Sequence, residues 1–123
     1  MVEEIKVIDI KQKLALFDEL WTPKIIGDLN DSHVKIAKLK GEFTWHDHEN
    51  EDELFLVIKG NLLIKLRDKD LHIKEGKFVI IPKGVEHKPI AQEEVHVVLI
   101  EPKSTVSTGD VREERTVINA DKI

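Results

Sequence analysis

The sequence predicts an all-β domain: an antiparallel barrel of two sheets preceded by one short helix. Three observations carry this expectation. From Trp21 onward the apolar residues fall in short segments rich in Val, Ile and Leu, divided by turn residues about every 8 to 12 positions. Helical period occurs in one stretch only, Asp9 to Leu20. In Glu53–Lys59, finally, Leu54, Leu56 and Ile58 alternate with Phe55 and Val57, so both faces of one strand are apolar and need covering. With no helices long enough to flank a parallel sheet, a second β-sheet is expected to cover it.

Taken in order, Ile10, Leu14, Phe17 and Leu20 lie on one helical face, Asp9 is placed to cap it, and Pro23 forbids much extension. Strands are expected near Lys24–Ile26, His33–Leu39, Phe43–His48, Glu53–Lys59, Leu62–Leu66, His72–Ile73, Phe78–Ile81, Glu86–Ile90 and Val95–Glu101. Gly60-Asn61 suits a two-residue hairpin and Asp68-Lys69-Asp70 another, which makes neighbouring strands antiparallel. The polar stretch from Lys103 to Ile123 reads as an arm. A length of 123 residues gives one domain, residues 1–123, with the helix and first strands to about residue 40, a barrel core over 41–101 and the arm over 102–123.

Composition narrows the chemistry. There is no cysteine, so disulfides, thiolate metal sites and thiol catalysis are excluded together, and any metal must sit on nitrogen and oxygen. A net charge of -5, with lysines scattered among acids, offers nothing to a phosphate backbone, so no nucleic acid partner is expected. No apolar run approaches the roughly 20 residues of a membrane span. Two glutamates stand near the N-terminus where a secretory signal would carry positive charge, so a cytoplasmic location is expected.

His46 and His48 lie two apart in a β segment, which places their side chains on one face with Cα atoms about 7 Å apart, able to converge on one ion. Glu53 opens the next strand. Farther on, Gly76 and the Pro82-Lys83-Gly84 turn bracket a buried strand and lead to His87. This arrangement resembles the cupin family, whose motifs read Gly, five residues, His-x-His, three or four residues, Glu, six residues, Gly, and then Gly, five residues, Pro-x-Gly, two residues, His. Here Gly41 precedes His46 by four residues instead of five, and Ala91 stands where the second motif usually ends in Asn; neither departure removes a ligand.

The resemblance implies the double-stranded β-helix of cupins, with His46, His48, Glu53 and His87 as metal ligands. Three imidazoles and a carboxylate suit one divalent transition metal ion, Mn, Fe, Co, Ni, Cu or Zn, and a six-coordinate ion would keep two positions open. The implied function is a small metal-dependent enzyme acting on an oxygen-bearing organic molecule, of dioxygenase, isomerase or decarboxylase type. The rival is a non-catalytic module that binds a small ligand or metal, and turnover in a substrate screen discriminates them. Small cupins commonly pair, and the N-terminal segment leaves an edge to cover, so a homodimer is expected.

Other residues carry less. Thr44 falls on the His46 face, and Phe55 and Val57 on the Glu53 face, as candidate pocket lining or core; Trp45 then faces away. Glu49, Glu51 and Asp52 read as a solvated acidic loop, His96 as a satisfied sheet histidine, and His33 and His72 as surface residues. Lys83 and Lys88 flank His87 and read as solvated.

Overall fold

The computed structural model describes residues 4–123. The elements are α1 (Ile10–Leu14), β1 (Lys24–Leu29), β2 (Ser32–Glu42), β3 (Glu53–Lys59), β4 (Asn61–Lys65), β5 (Asp70–Lys74), β6 (Phe78–Ile81) and β7 (Lys88–Pro102). Five strands run in the order β1-β2-β7-β3-β6, while the β4–β5 hairpin hangs from the first half of β7. All pairings between these strands are antiparallel. Because β7 belongs to both groups, the hairpin folds across the five-strand sheet and closes the barrel. Leu62, Ile64 and Ile73 of the hairpin then meet Ala37, Leu39, Val57 and Val97 of the sheet in the main core.

β7 is one strand where two were expected. Gln92, Glu93 and Glu94 read as a break between Glu86–Ile90 and Val95–Glu101, yet they are the exposed middle of a strand passing from β4 to β3. Gly60-Asn61 is likewise no hairpin: β3 and β4 do not pair, and the chain at Gly60 crosses from one sheet to the other. A Cβ at Gly60 would stand 3.1 Å from the Glu94 carbonyl oxygen, which is why the corner has none. The Asp68-Lys69-Asp70 turn does close a hairpin, β4 with β5.

The helix is shorter than its periodicity suggests. Asp9 caps it, its carboxylate accepting from Gln12 N–H at 3.1 Å, but it ends at Leu14. Leu20 bridges Lys38 and Trp21 N–H donates to the Lys38 carbonyl at 2.9 Å, so sheet contacts hold the end of the expected helix extended. Leu14 and Phe17 still pack on Ile26, Ile36 and Val98, the outer face of the five-strand sheet. That face is therefore covered in part by the N-terminal segment and not by a second sheet, and Phe78 stays 62% exposed on it.

Candidate metal centre

Residues 43–52, expected as a strand from Phe43 to His48, are irregular apart from one antiparallel bridge between His46 and His87. That bridge does what the strand was expected to do. His46 N–H donates to the His87 carbonyl at 3.1 Å and His87 N–H to the His46 carbonyl at 2.9 Å, so two histidines from distant positions stand backbone to backbone. The Pro82-Lys83-Gly84 turn closes on the same loop: Gly84 N–H donates to the His48 carbonyl at 2.8 Å and Lys83 N–H to the Asp52 carboxylate at 2.9 Å. Gly84 holds φ at 78°, which a side chain rarely adopts.

The four side chains meet. His46, His48, Glu53 and His87 each offer one ligand atom, and these lie within 4.8 Å of one another; all four residues are buried. Glu53 Oε1 stands 3.4 Å from His48 Nε2 and 3.5 Å from His87 Nε2. The Nδ1 of His46 faces the Thr44 carbonyl at 2.9 Å, and that of His87 faces the Val85 carbonyl at 2.9 Å. Each of these nitrogens must carry a hydrogen to donate, so Nε2 of both rings keeps its lone pair for the cluster.

His48 Nε2, His87 Nε2 and Glu53 Oε1 are buried without hydrogen-bond partners. Orphaned polar atoms of this kind are costly unless something satisfies them, and a cation among two imidazole nitrogens and a carboxylate oxygen does so. The residues fit a metal ion. Electrostatics agree: burial and the neighbouring His87 push His46 down to about 4, which keeps its imidazole neutral. Burial would lower His48 too, but Glu53 outweighs it and the net shift is upward.

The expected alternatives lie outside the cluster. Glu49 is exposed, Glu51 accepts from Ser104 at 3.0 Å, and Asp52 is held by Lys83 N–H. Phe55 faces the centre, its ring 6.2 Å from that of His87, whereas Val57 is core. Thr44 contributes its carbonyl, and Trp45 points outward beneath the Arg67 guanidinium at 3.7 Å. His96 pairs with Glu94 at 2.6 Å, Lys88 with Glu42 at 2.7 Å and His33 with Asp28 at 3.6 Å, while His72 is exposed.

Three features escaped the sequence reading. The first is Glu101, buried at 3% exposure, whose Oε1 takes Lys35 Nζ at 2.9 Å. The register that pairs Leu54 with Ile100 sets Glu101 opposite Glu53. Burial and the Glu53 charge push Glu101 well up, more than Lys35 lowers it. Glu53, despite its burial, is held well down by the neighbouring Glu101, His48 and His87. Two adjacent buried carboxyls resist ionising together, and in this pair the proton is favoured on Glu101 and disfavoured on Glu53, while Lys35 opposes the rise at Glu101. The second is a cavity reaching from His46 and Glu53 into the barrel, with the stacked rings of Trp21 and Phe43 on its wall.

The third is the segment after β7, which packs as a strap across the centre. Ser107 lines the cavity, and Thr108 is buried, bonding to Thr116 at 2.8 Å and to the Val111 carbonyl. Arg115 donates to the Glu42 carbonyl at 2.8 Å. Gly109, at φ 58°, presses on the backbone of Asp47, between His46 and His48, so that an added Cβ would overlap the Asp47 carbonyl. Gly109→Ala is therefore expected to lift the strap at a cost of about 2–3 kcal/mol, the left-handed backbone and the overlap together. Limited proteolysis within residues 103–117 should accelerate along with a lowered melting temperature; unchanged cleavage would contradict the contact.

Comparison with known proteins gives one consistent result. Residues 32–102 match the family described as Cupin domain. A cupin-2 domain-containing protein from Shewanella frigidimarina superposes with a TM-score of 0.77 at 45% identity, covering 78% of this chain and 94% of that one. The uncharacterised protein YdbB of Bacillus subtilis is 38% identical over 81 residues, 65% of this chain and 66% of the relative. The 3-hydroxyanthranilate 3,4-dioxygenase of Xenopus tropicalis is 27% identical over 89 residues, 67% of this chain and 32% of the enzyme. The chain thus spans about a third to two thirds of the length of these curated relatives.

Proposed function

The chain belongs to the cupin family, and from that premise we propose that it holds one divalent transition metal ion on His46, His48, Glu53 and His87 and acts there on an oxygen-bearing small organic molecule. The observation that carries this reading is the set of buried, unpartnered ligand atoms turned toward one point beside a cavity. When bound, the ion supplies Lewis acidity toward oxygens of the ligand. The rest is done by the chain. The Thr44 and Val85 carbonyls fix the tautomers of His46 and His87, Phe55 and the Trp21–Phe43 stack exclude water, and the strap closes over the loop that carries the first two histidines.

Likeness to 3-hydroxyanthranilate 3,4-dioxygenase supports a dioxygenase-type reaction as the first activity to assay. The test of the ligand set is metal content after purification and reloading. His46→Ala and His87→Ala should each lose most of the bound metal, an affinity loss of at least about 100-fold, since even residues that only orient a ligand are worth 10–100-fold. Glu49→Ala, on the exposed loop, should retain it. Equal loss in all three variants would refute the assignment.

A further inference from the structure

The cavity beside the metal centre has a wall chemistry that selects among ligands. It is bounded by His46 and Glu53 and runs inward along Ala37, Leu39, Phe55, Val97 and Leu99. Among the described residues that line it there is no lysine or arginine; the ionisable group on the inner wall is Glu101, a carboxyl. The nearby cations are already engaged. Lys35 Nζ sits on Glu101 Oε1 at 2.9 Å, and Arg115 stacks 4.8 Å from the Phe43 ring centroid while bonding to Glu42 and Glu113.

Resting on the metal-centre reading above, we propose that the site takes an uncharged, largely apolar molecule that gives the ion a pair of oxygens and carries no second anionic group. The ion itself balances the charge of the chelating oxygens. A separate carboxylate or phosphate on the body of the ligand would lose its water against aliphatic and aromatic walls, find no free cation, and face Glu101. A hydroxyl or amide meets no such penalty, because Glu101 Oε2, buried and without a partner, and Ser107 offer hydrogen bonds to it.

Three ligands that share one chelating group separate charge from size. Catechol, 2,3-dihydroxybenzamide and 2,3-dihydroxybenzoate all present the same vicinal hydroxyls, and the last two differ in charge at nearly equal volume. Titrated calorimetrically into the full chain loaded with Ni²⁺, its metal content measured beforehand, catechol and the amide should bind within about threefold of each other. The acid should bind at least about 100-fold more weakly, as expected for burying an unpaired anion. An acid as tight as the amide would overturn the proposal, and so would an amide as weak as the acid, because size and not charge would then decide. Absence of binding by all three to metal-loaded protein would also overturn it. Failure to retain Ni²⁺ at all is a different result, and refutes the metal-centre reading itself.

Discussion

Glu101→Leu is expected to destabilise the fold by about 3–5 kcal/mol, and the further change Lys35→Met to restore most of that loss. Lys35 is buried at 6% exposure and, among the described residues, its ammonium has one partner, Glu101 Oε1 at 2.9 Å. Removing the partner strands a charge inside the barrel, which is far more costly than the pair is stabilising. Replacing both by apolar residues of similar volume removes the stranded charge, and the double variant should lie within about 1 kcal/mol of the wild type. Urea unfolding of the wild type, Glu101→Leu, Lys35→Met and the double variant gives the coupling. A double variant no more stable than Glu101→Leu would mean that Lys35 is not held by Glu101 alone.

This pair also shows what the sequence concealed. Along β7, Val95, Val97, Leu99 and Glu101 share one face, and along β2 so do Lys35, Ala37 and Leu39. Counting by twos turns both charged residues inward, yet charged residues at the ends of apolar strands are ordinarily solvated, and only the register between β2, β7 and β3 shows that these meet. The cluster of His46, His48, Glu53 and His87 was legible through the resemblance of its motifs to those of cupins, and the fold brings the four side chains within reach of one another. The strand assumed for Phe43–His48 was not there; a bridge to His87 and the strap on Asp47 hold the loop instead, and both are long-range contacts that no local pattern encodes. Exposed Gln92, Glu93 and Glu94 mimicked a turn because a strand crossing between sheets leaves its middle in water. Helical periodicity overran the helix at Phe17 because a buried face is equally served by a chain that leaves the helix early.

The second large effect is stabilisation by metal. An ion that binds the folded site and not the unfolded chain adds RT ln(1 + [M]/Kd), about 4 kcal/mol at a thousandfold excess over Kd, which for a domain of this size is roughly 15 °C in melting temperature. Protons oppose it, because each imidazole binds metal through the lone pair that a proton would take. His48, raised by Glu53, is the first to be protonated as the pH falls, so the metal's contribution should be full near pH 8 and fade below about pH 6. Without metal the two histidines work in opposite senses. His46, lowered to about 4, costs stability as pH falls from about 6.5 toward 4, because the unfolded chain takes up the proton first. His48, raised, contributes stability at low pH that is lost as pH rises.

The measurement is a melting-temperature series from pH 5 to 8, with and without excess Ni²⁺, on the wild type and on His46→Ala/His48→Ala. A metal-dependent rise in the wild type that is largest near pH 8, vanishes toward pH 5 and is missing from the double variant is the predicted result. If Ni²⁺ raises the melting temperature of the double variant as much as that of the wild type, the ion sits elsewhere and the assignment of His46, His48, Glu53 and His87 is wrong.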